Sequence, residues 1–345
     1  MHRPHKYIGV TLCVFTFVFT MQAHAQSLGT EADPLRMLVS PEVPGPNTAV
    51  RMEVQGIGTF LGNATITWRQ NGAVVKTGVG ERVYSLTTGA LGSVTRVSVT
   101  VNSATEGLLT REQTFIPSAI NLVWEADTYT PPLYRGKALY TPGAQVTVTA
   151  FPQVVANGRT ISANNLSFQW ERNGNPAPQL SGQGRSTFTF TGNQLRTSES
   201  VGVDVYFGGA LVGRGSITIS AVTPRIVLYP RDPLRGILYD QALPSAISLT
   251  SREITLQAEP FFFSRSSLAN GSLTYQWELN NRSTTGPDAG RGILTLRKTG
   301  EGTGSAVIGV ELQNTDGTKI LQAAEAAVRI IFGQTTGGFG SFFGL

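Results

Sequence analysis

Histidine and cysteine are nearly missing from this 345-residue chain, and the few present fall in one place. The single cysteine, Cys13, and all three histidines, His2, His5 and His24, lie within the first 25 residues. That opening reads as a secretory signal peptide spanning residues 1–25. His2, Arg3, His5 and Lys6 give a positive start, Tyr7 to Met21 an apolar core of 15 residues, and Ala23-His24-Ala25 the small residues a signal peptidase reads. Cleavage is expected after Ala25. Spanning a bilayer takes about 20 apolar residues, so no stable membrane span is expected to remain. The mature chain would then hold no imidazole and no thiol. That excludes Ser-His-Asp and Cys-His catalysis, His or Cys metal sites, and disulfides. Stability must come from burial and strand pairing alone.

Charge is sparse as well: Asp, Glu, Lys and Arg make up 14% of the residues. The formal charge of +5 falls to +3 once Arg3 and Lys6 are removed. So weak and scattered an excess gives no basic face for nucleic acid. There is no Asp-x-Asp-x-Asp loop of the kind that ligates calcium, and no metal or cofactor is expected. An enzyme would have to use carboxylates, Lys or Tyr; a carboxylate pair is the best option, with Glu125 and Asp127 beside Trp124, and Glu171 and Glu278 after a strand Trp, the nearest candidates. A strand end or an outward strand face explains each of them, and no catalytic residue is assigned.

What the chain does have is a repeat. Ile66-Thr67-Trp68 is followed by Arg69-Gln70-Asn71-Gly72, Leu166-Ser167-Phe168-Gln169-Trp170 by Glu171-Arg172-Asn173-Gly174, and Leu273-Thr274-Tyr275-Gln276-Trp277 by Glu278-Leu279-Asn280-Asn281. Alternation places each tryptophan on the apolar face of its strand, and Asn-Gly after the first two signals a hairpin turn. The tryptophans stand 102 and 107 residues apart, the spacing of domains rather than of solenoid repeats. Alternating strands precede each one (Val50–Val54, Val146–Val148, Ile254–Leu256). Others follow about thirty residues later (Val97–Val101, Val201–Val205, Ile308–Leu312), with short strands between at Val83–Leu86, Phe188–Phe190 and Ile293–Leu296. The fold class expected is all-β: three tandem antiparallel β-sandwich domains at residues 35–118, 119–223 and 224–333. A linker at 26–34 precedes them and a flexible Gly/Phe-rich tail at 334–345, ending Phe342-Phe343-Gly344-Leu345, follows.

In the second and third copies, Pro132-Leu133-Tyr134-Arg135-Gly136-Lys137-Ala138-Leu139-Tyr140 matches Pro233-Leu234-Arg235-Gly236-Ile237-Leu238-Tyr239. Each reads as a long crossing between the first two strands of its unit. Short links with one proline each, near Ile116-Pro117 and Thr223-Pro224, suggest a semi-rigid string.

Strand, tryptophan, polar turn and a later alternating Val strand resemble the immunoglobulin-like and PKD-like modules of exported bacterial surface proteins. The resemblance covers roughly Leu35 to Phe332. It implies that Trp68, Trp170 and Trp277 fill the core between two sheets. It further implies roles as adhesins, pilus-associated parts, scaffolds, spacers or carbohydrate binders. The expected partner is an envelope or extracellular protein or a glycan. The expected function is that of an exported, non-enzymatic interaction protein, with a carbohydrate-binding accessory and a passive spacer as alternatives. Residues placed as ligand-facing are Trp124, Tyr129 and Tyr134, clustered at the second crossing, and the run Phe261-Phe262-Phe263. Strict alternation would expose at least one ring of that run, either as a partner patch or as a plug at the sandwich end.

Overall fold

The computed structural model describes residues 35–56, 60–300, 303–319 and 321–333. The signal peptide read at 1–25, the linker at 26–34 and the tail at 334–345 lie outside the described residues. Period-2 alternation builds the strands. In Thr95–Ser103 the side chains of Val97, Val99 and Val101 are buried while Arg96 is exposed. Branched side chains on a pleated, half-buried surface favour this conformation.

Leu35–Ser40, Ala49–Gly56 and Val83–Thr87 form one sheet in that order. Facing it are Ala73–Val79, Thr65–Gln70, Thr95–Ser103 and Gly107–Phe115. The chain thus places its first, second and fifth strands in one layer and its fourth, third, sixth and seventh in the other. That is the strand order of an immunoglobulin-like sandwich. The pattern recurs: Ala119–Ala126, Gln145–Gln153 and Thr187–Thr191 lie against a sheet of Ser167–Arg172, Ser198–Phe207 and Ala210–Ser220. It recurs again with Arg225–Asp232, Glu253–Phe261 and Ile293–Arg297 against Leu273–Leu279, Gly304–Asn314 and Ala323–Phe332. Each pair of sheets encloses one apolar cluster.

Trp68, Trp170 and Trp277 sit in those clusters at 0, 1 and 2% exposure. A buried indole N–H needs an acceptor, and all three find the same kind. Trp68 donates to the carbonyl of Glu81 at 2.9 Å, Trp170 to that of Arg185 at 2.8 Å, and Trp277 to that of Ala289 at 3.1 Å. The turn after each tryptophan is pinned in one way throughout. Asn71, Asn173 and Asn280 take φ of 50, 52 and 53°. Their Oδ1 atoms accept the N–H of Arg96, Ser200 and Val307, each at 2.9 Å. Asparagine tolerates the left-handed region and supplies the acceptor. In the third copy Asn281, at φ 63°, does the work of glycine.

Among the described residues the structure departs from a purely antiparallel fold at one pairing. Ala246–Leu249 runs parallel to Ala323–Phe332. The long crossing after Arg225–Asp232 lets the chain change sheets, so it meets the last strand in the same direction. The crossings themselves lie where the repeat placed them, between the first and second strands of the second and third copies.

Candidate functional site

The aromatic residues singled out by sequence meet where the second sandwich abuts the third. After Ala119–Ala126 the chain runs on as Asp127-Thr128-Tyr129, and this segment pairs with the chain leaving Glu253–Phe261. Thr128 and Ser264 form an antiparallel bridge. Phe262 donates its N–H to Tyr129 at 2.7 Å, Tyr129 to Phe263 at 2.7 Å, and Arg265 to Asp127 at 3.2 Å. The seam is therefore stitched by backbone, the least substitutable of contacts.

Rings close one side of it. Tyr134 meets Phe261 edge-on, centroids 5.6 Å apart at 86°, and Phe262 at 6.0 Å and 71°. The Arg225 guanidinium lies 5.0 Å from the Phe261 ring centroid. Phe261, Phe262 and Phe263 are 4, 4 and 0% exposed, so the expectation that they face a ligand is corrected. The physical reason is Phe262, whose φ of 66° turns the strand out of alternation. Phe263 then enters the third core, while Phe261 and Phe262 lie under Tyr134. The run plugs the end of the sandwich and glues it to its neighbour.

A buried amide closes the other side. Gln322 is 0% exposed. Its Oε1 accepts from the Ser264 N–H and from Asn314 Nδ2, each at 3.0 Å, within the third sandwich. Its Nε2 donates to Thr141 Oγ1 at 3.3 Å and to the Pro142 carbonyl at 3.0 Å, in the second. Thr141 in turn donates to the Phe262 carbonyl at 2.8 Å. One side chain thus uses both acceptor and both donor positions to clamp two layers of the molecule. Sequence reasoning missed it: Gln322 follows Leu321 in a turn before the last strand, and no periodicity marks it.

Tyr129 is half-buried, and its hydroxyl donates to Glu259 Oε2 at 2.9 Å. Burial pushes the Tyr129 phenol up, and the neighbouring Glu259 charge adds to this. Trp124 stands apart from the seam. It shares the inward side of its strand with Leu122 and Ala126, packs on the second core, and carries the Lys137 ammonium 3.3 Å from its ring centroid. The Lys137 ammonium therefore lies over one face of the half-buried indole. Burial holds the Lys137 amine below its ordinary range, with Glu125 pulling the other way. Beside it, Glu125, Asp127, Lys137, Gln145, Thr147 and Arg265 line a polar cleft of about 430 Å³.

The junction of the first and second sandwiches is built differently. Gly92 donates its N–H to the Pro117 carbonyl at 2.9 Å, and Ser118 Oγ donates to the Val212 carbonyl. An exposed pair joins Glu42 to Arg214 at 3.2 Å. Among the described residues no cluster of acidic, His or Cys side chains is arranged to hold a metal, and no helix is long and apolar enough to cross a membrane.

No protein-family model matches the chain, and no curated protein does. Solved structures similar to it are tandem arrays. The three N-terminal domains of the bacteriophage RB49 Highly Immunogenic Outer Capsid protein (Hoc) share 12% identity over 87% of this chain and 99% of that one, at a TM-score of 0.25. The central fibronectin-III array of RIM-binding protein shares 12% over 89% and 100%, at 0.29. Fibronectin(III)-like modules of Clostridium thermocellum CbhA share 8% over 54% and 94%, at 0.27. The immunoglobulin-like fold rests on the strand order described above.

Proposed function

We propose that the chain is an exported, non-enzymatic surface or extracellular interaction protein with an adhesive, pilus-associated or scaffold role. In this reading residues 1–25 direct export, and domains at 35–118, 119–223 and 224–333 form a string whose second and third members act as one stiff segment. The observation that carries it is the fate of the aromatic residues. Tyr129, Tyr134, Phe261 and Phe262 are spent on joining sandwich to sandwich rather than left open to a substrate. Such a molecule presents loops and sheet edges at a fixed spacing, which suits an adhesin or scaffold. Photo-crosslinking in the native envelope tests it, with the reactive group at exposed Leu133, Phe151 or Leu195. The result expected is an adduct with an envelope protein or surface polymer. No adduct from any of the three positions, with the chain retained inside the cell, would overturn the reading.

The cleft beside Lys137 favours a second reading, a carbohydrate-binding accessory. Its carboxylates, amide, hydroxyl and cations are groups that hydrogen-bond sugar hydroxyls. A glycan array probed with the wild-type protein and with Gln145→Ala separates the two readings. Signal lost in the variant supports the sugar role, and no signal from either leaves the interaction role.

A further inference from the structure

The seam contains one carboxylate that has no counter-ion. Glu259 is 5% exposed. Among the described residues no Lys or Arg reaches ion-pair distance of it, and its one side-chain hydrogen bond comes from Tyr129 of the second sandwich. Its surroundings are phenols: Tyr129 on the segment after Ala119–Ala126, Tyr229 on Arg225–Asp232, Tyr239 on the crossing and Tyr275 on Leu273–Leu279. The charged groups that face it are Arg231, whose Nη1 donates instead to Gln257 at 3.3 Å, and Arg225, which lies over Phe261.

The internal repeat shows that a carboxylate here is a choice. Ala258-Glu259-Pro260 occupies the register of Ala150-Phe151-Pro152, since Pro260 pairs with Ile226 as Pro152 pairs with Ile120. At that position the second sandwich has a phenylalanine that is 54% exposed. The third has an acid and covers it with a neighbouring domain. A phenylalanine would seal the seam at any pH; an acid seals it only while neutral. Ionised, it has one donor in place of the several that water would supply, and parting the sandwiches restores those.

We propose that the junction of the second and third sandwiches is an acid-tightened joint, sealed while the Glu259 carboxyl is protonated and loosened when it ionises. The proposal rests on the stiff-segment reading above. Burial holds the carboxyl above the usual carboxylate range, while the Tyr129 hydrogen bond and Arg231 pull it partly back. A carboxyl raised in the assembled state stabilises that state fully below its free value. The contribution is lost as pH rises through the raised one.

The test uses the full chain with Cys13→Ser and nitroxide labels at exposed Leu195→Cys and Ser251→Cys, one on each side of the seam. Pulsed dipolar spectroscopy reads the distance distribution from about pH 4 to about pH 9, a range that brackets shifted carboxyls. The wild type is expected to be narrow at the acid end and to broaden as pH rises, while Glu259→Gln stays narrow throughout. Tyr129→Phe removes the one donor to the carboxylate, so broadening should begin in the same pH range as in the wild type and go further at the alkaline end. This variant decides the matter if circular dichroism shows that Glu259→Gln does not fold. A wild-type width that is constant with pH, with Gln322→Ala broader, would sink the joint and spare the stiff segment. A wild type that is broad throughout would overturn both.

Discussion

Asn280 shows how much one residue in a turn can carry. Its left-handed backbone and its side-chain acceptor for Val307 fix the turn after Trp277 against the strand Gly304–Asn314. Asn280→Ala forfeits both and is expected to cost about 1–2 kcal/mol by urea unfolding. Asn280→Gly keeps the backbone freedom and loses only the hydrogen bond, so it should cost less; equal losses would show that the left-handed backbone contributes nothing. Trp170→Ala leaves a cavity in the second core, expected to cost ~3–5 kcal/mol. A module of this size has about 5–15 kcal/mol in total, so the melting transition of that unit should collapse; an unchanged melting curve would contradict the core assignment. Both residues were readable in the sequence, since tryptophan on an alternating strand and asparagine in a polar turn carry their reasons locally. Phe262 was not, because nothing in its neighbours announces a positive φ at a phenylalanine.

Among the elements, the end of Ser167–Arg172 is bound to the start of Ser198–Phe207 by a buried ion pair. Glu199 is 0% exposed and receives Arg172 Nε at 2.9 Å and Nη2 at 2.7 Å, Asn173 Nδ2 at 2.6 Å and the Asn193 N–H at 2.8 Å. Burial alone would raise its carboxyl, but these donors outweigh burial and hold it below the ordinary range. A lowered carboxyl gives stability that is present above its unfolded value, about 4.3, and lost as pH falls through the folded one. Glu199→Gln should therefore cost about 3–5 kcal/mol at neutral pH, and its stability should fall less steeply than the wild type's on acidification. A parallel acid limb in both proteins would contradict this. The strands themselves were legible from period-2 patterning and turn residues. The parallel pairing of Ala246–Leu249 was not, since it depends on a strand some eighty residues away.

For the whole molecule, the question is whether its parts move together. The sequence marked Tyr129, Tyr134 and Phe261–Phe263 as unusual, and the structure brings them to one seam. What it could not mark were Gln322 and Glu259. Gln322 reads as a turn residue, and Glu259 as one more outward polar position after Thr255 and Gln257. Their burial comes from a neighbouring sandwich and a crossing, so it exists only once the units are assembled. If Gln322 is the clamp its four hydrogen bonds describe, Gln322→Ala takes the partner from two buried donors in the third sandwich and two acceptors in the second, at about 1–3 kcal/mol for each group left unpaired. The most direct measurement of the claim that this seam stiffens the molecule is a set of backbone residual dipolar couplings from the second and third sandwiches in the full chain near pH 5. One alignment tensor should fit both in the wild type, and two should be needed in Gln322→Ala. Two unrelated tensors in the wild type would contradict the account.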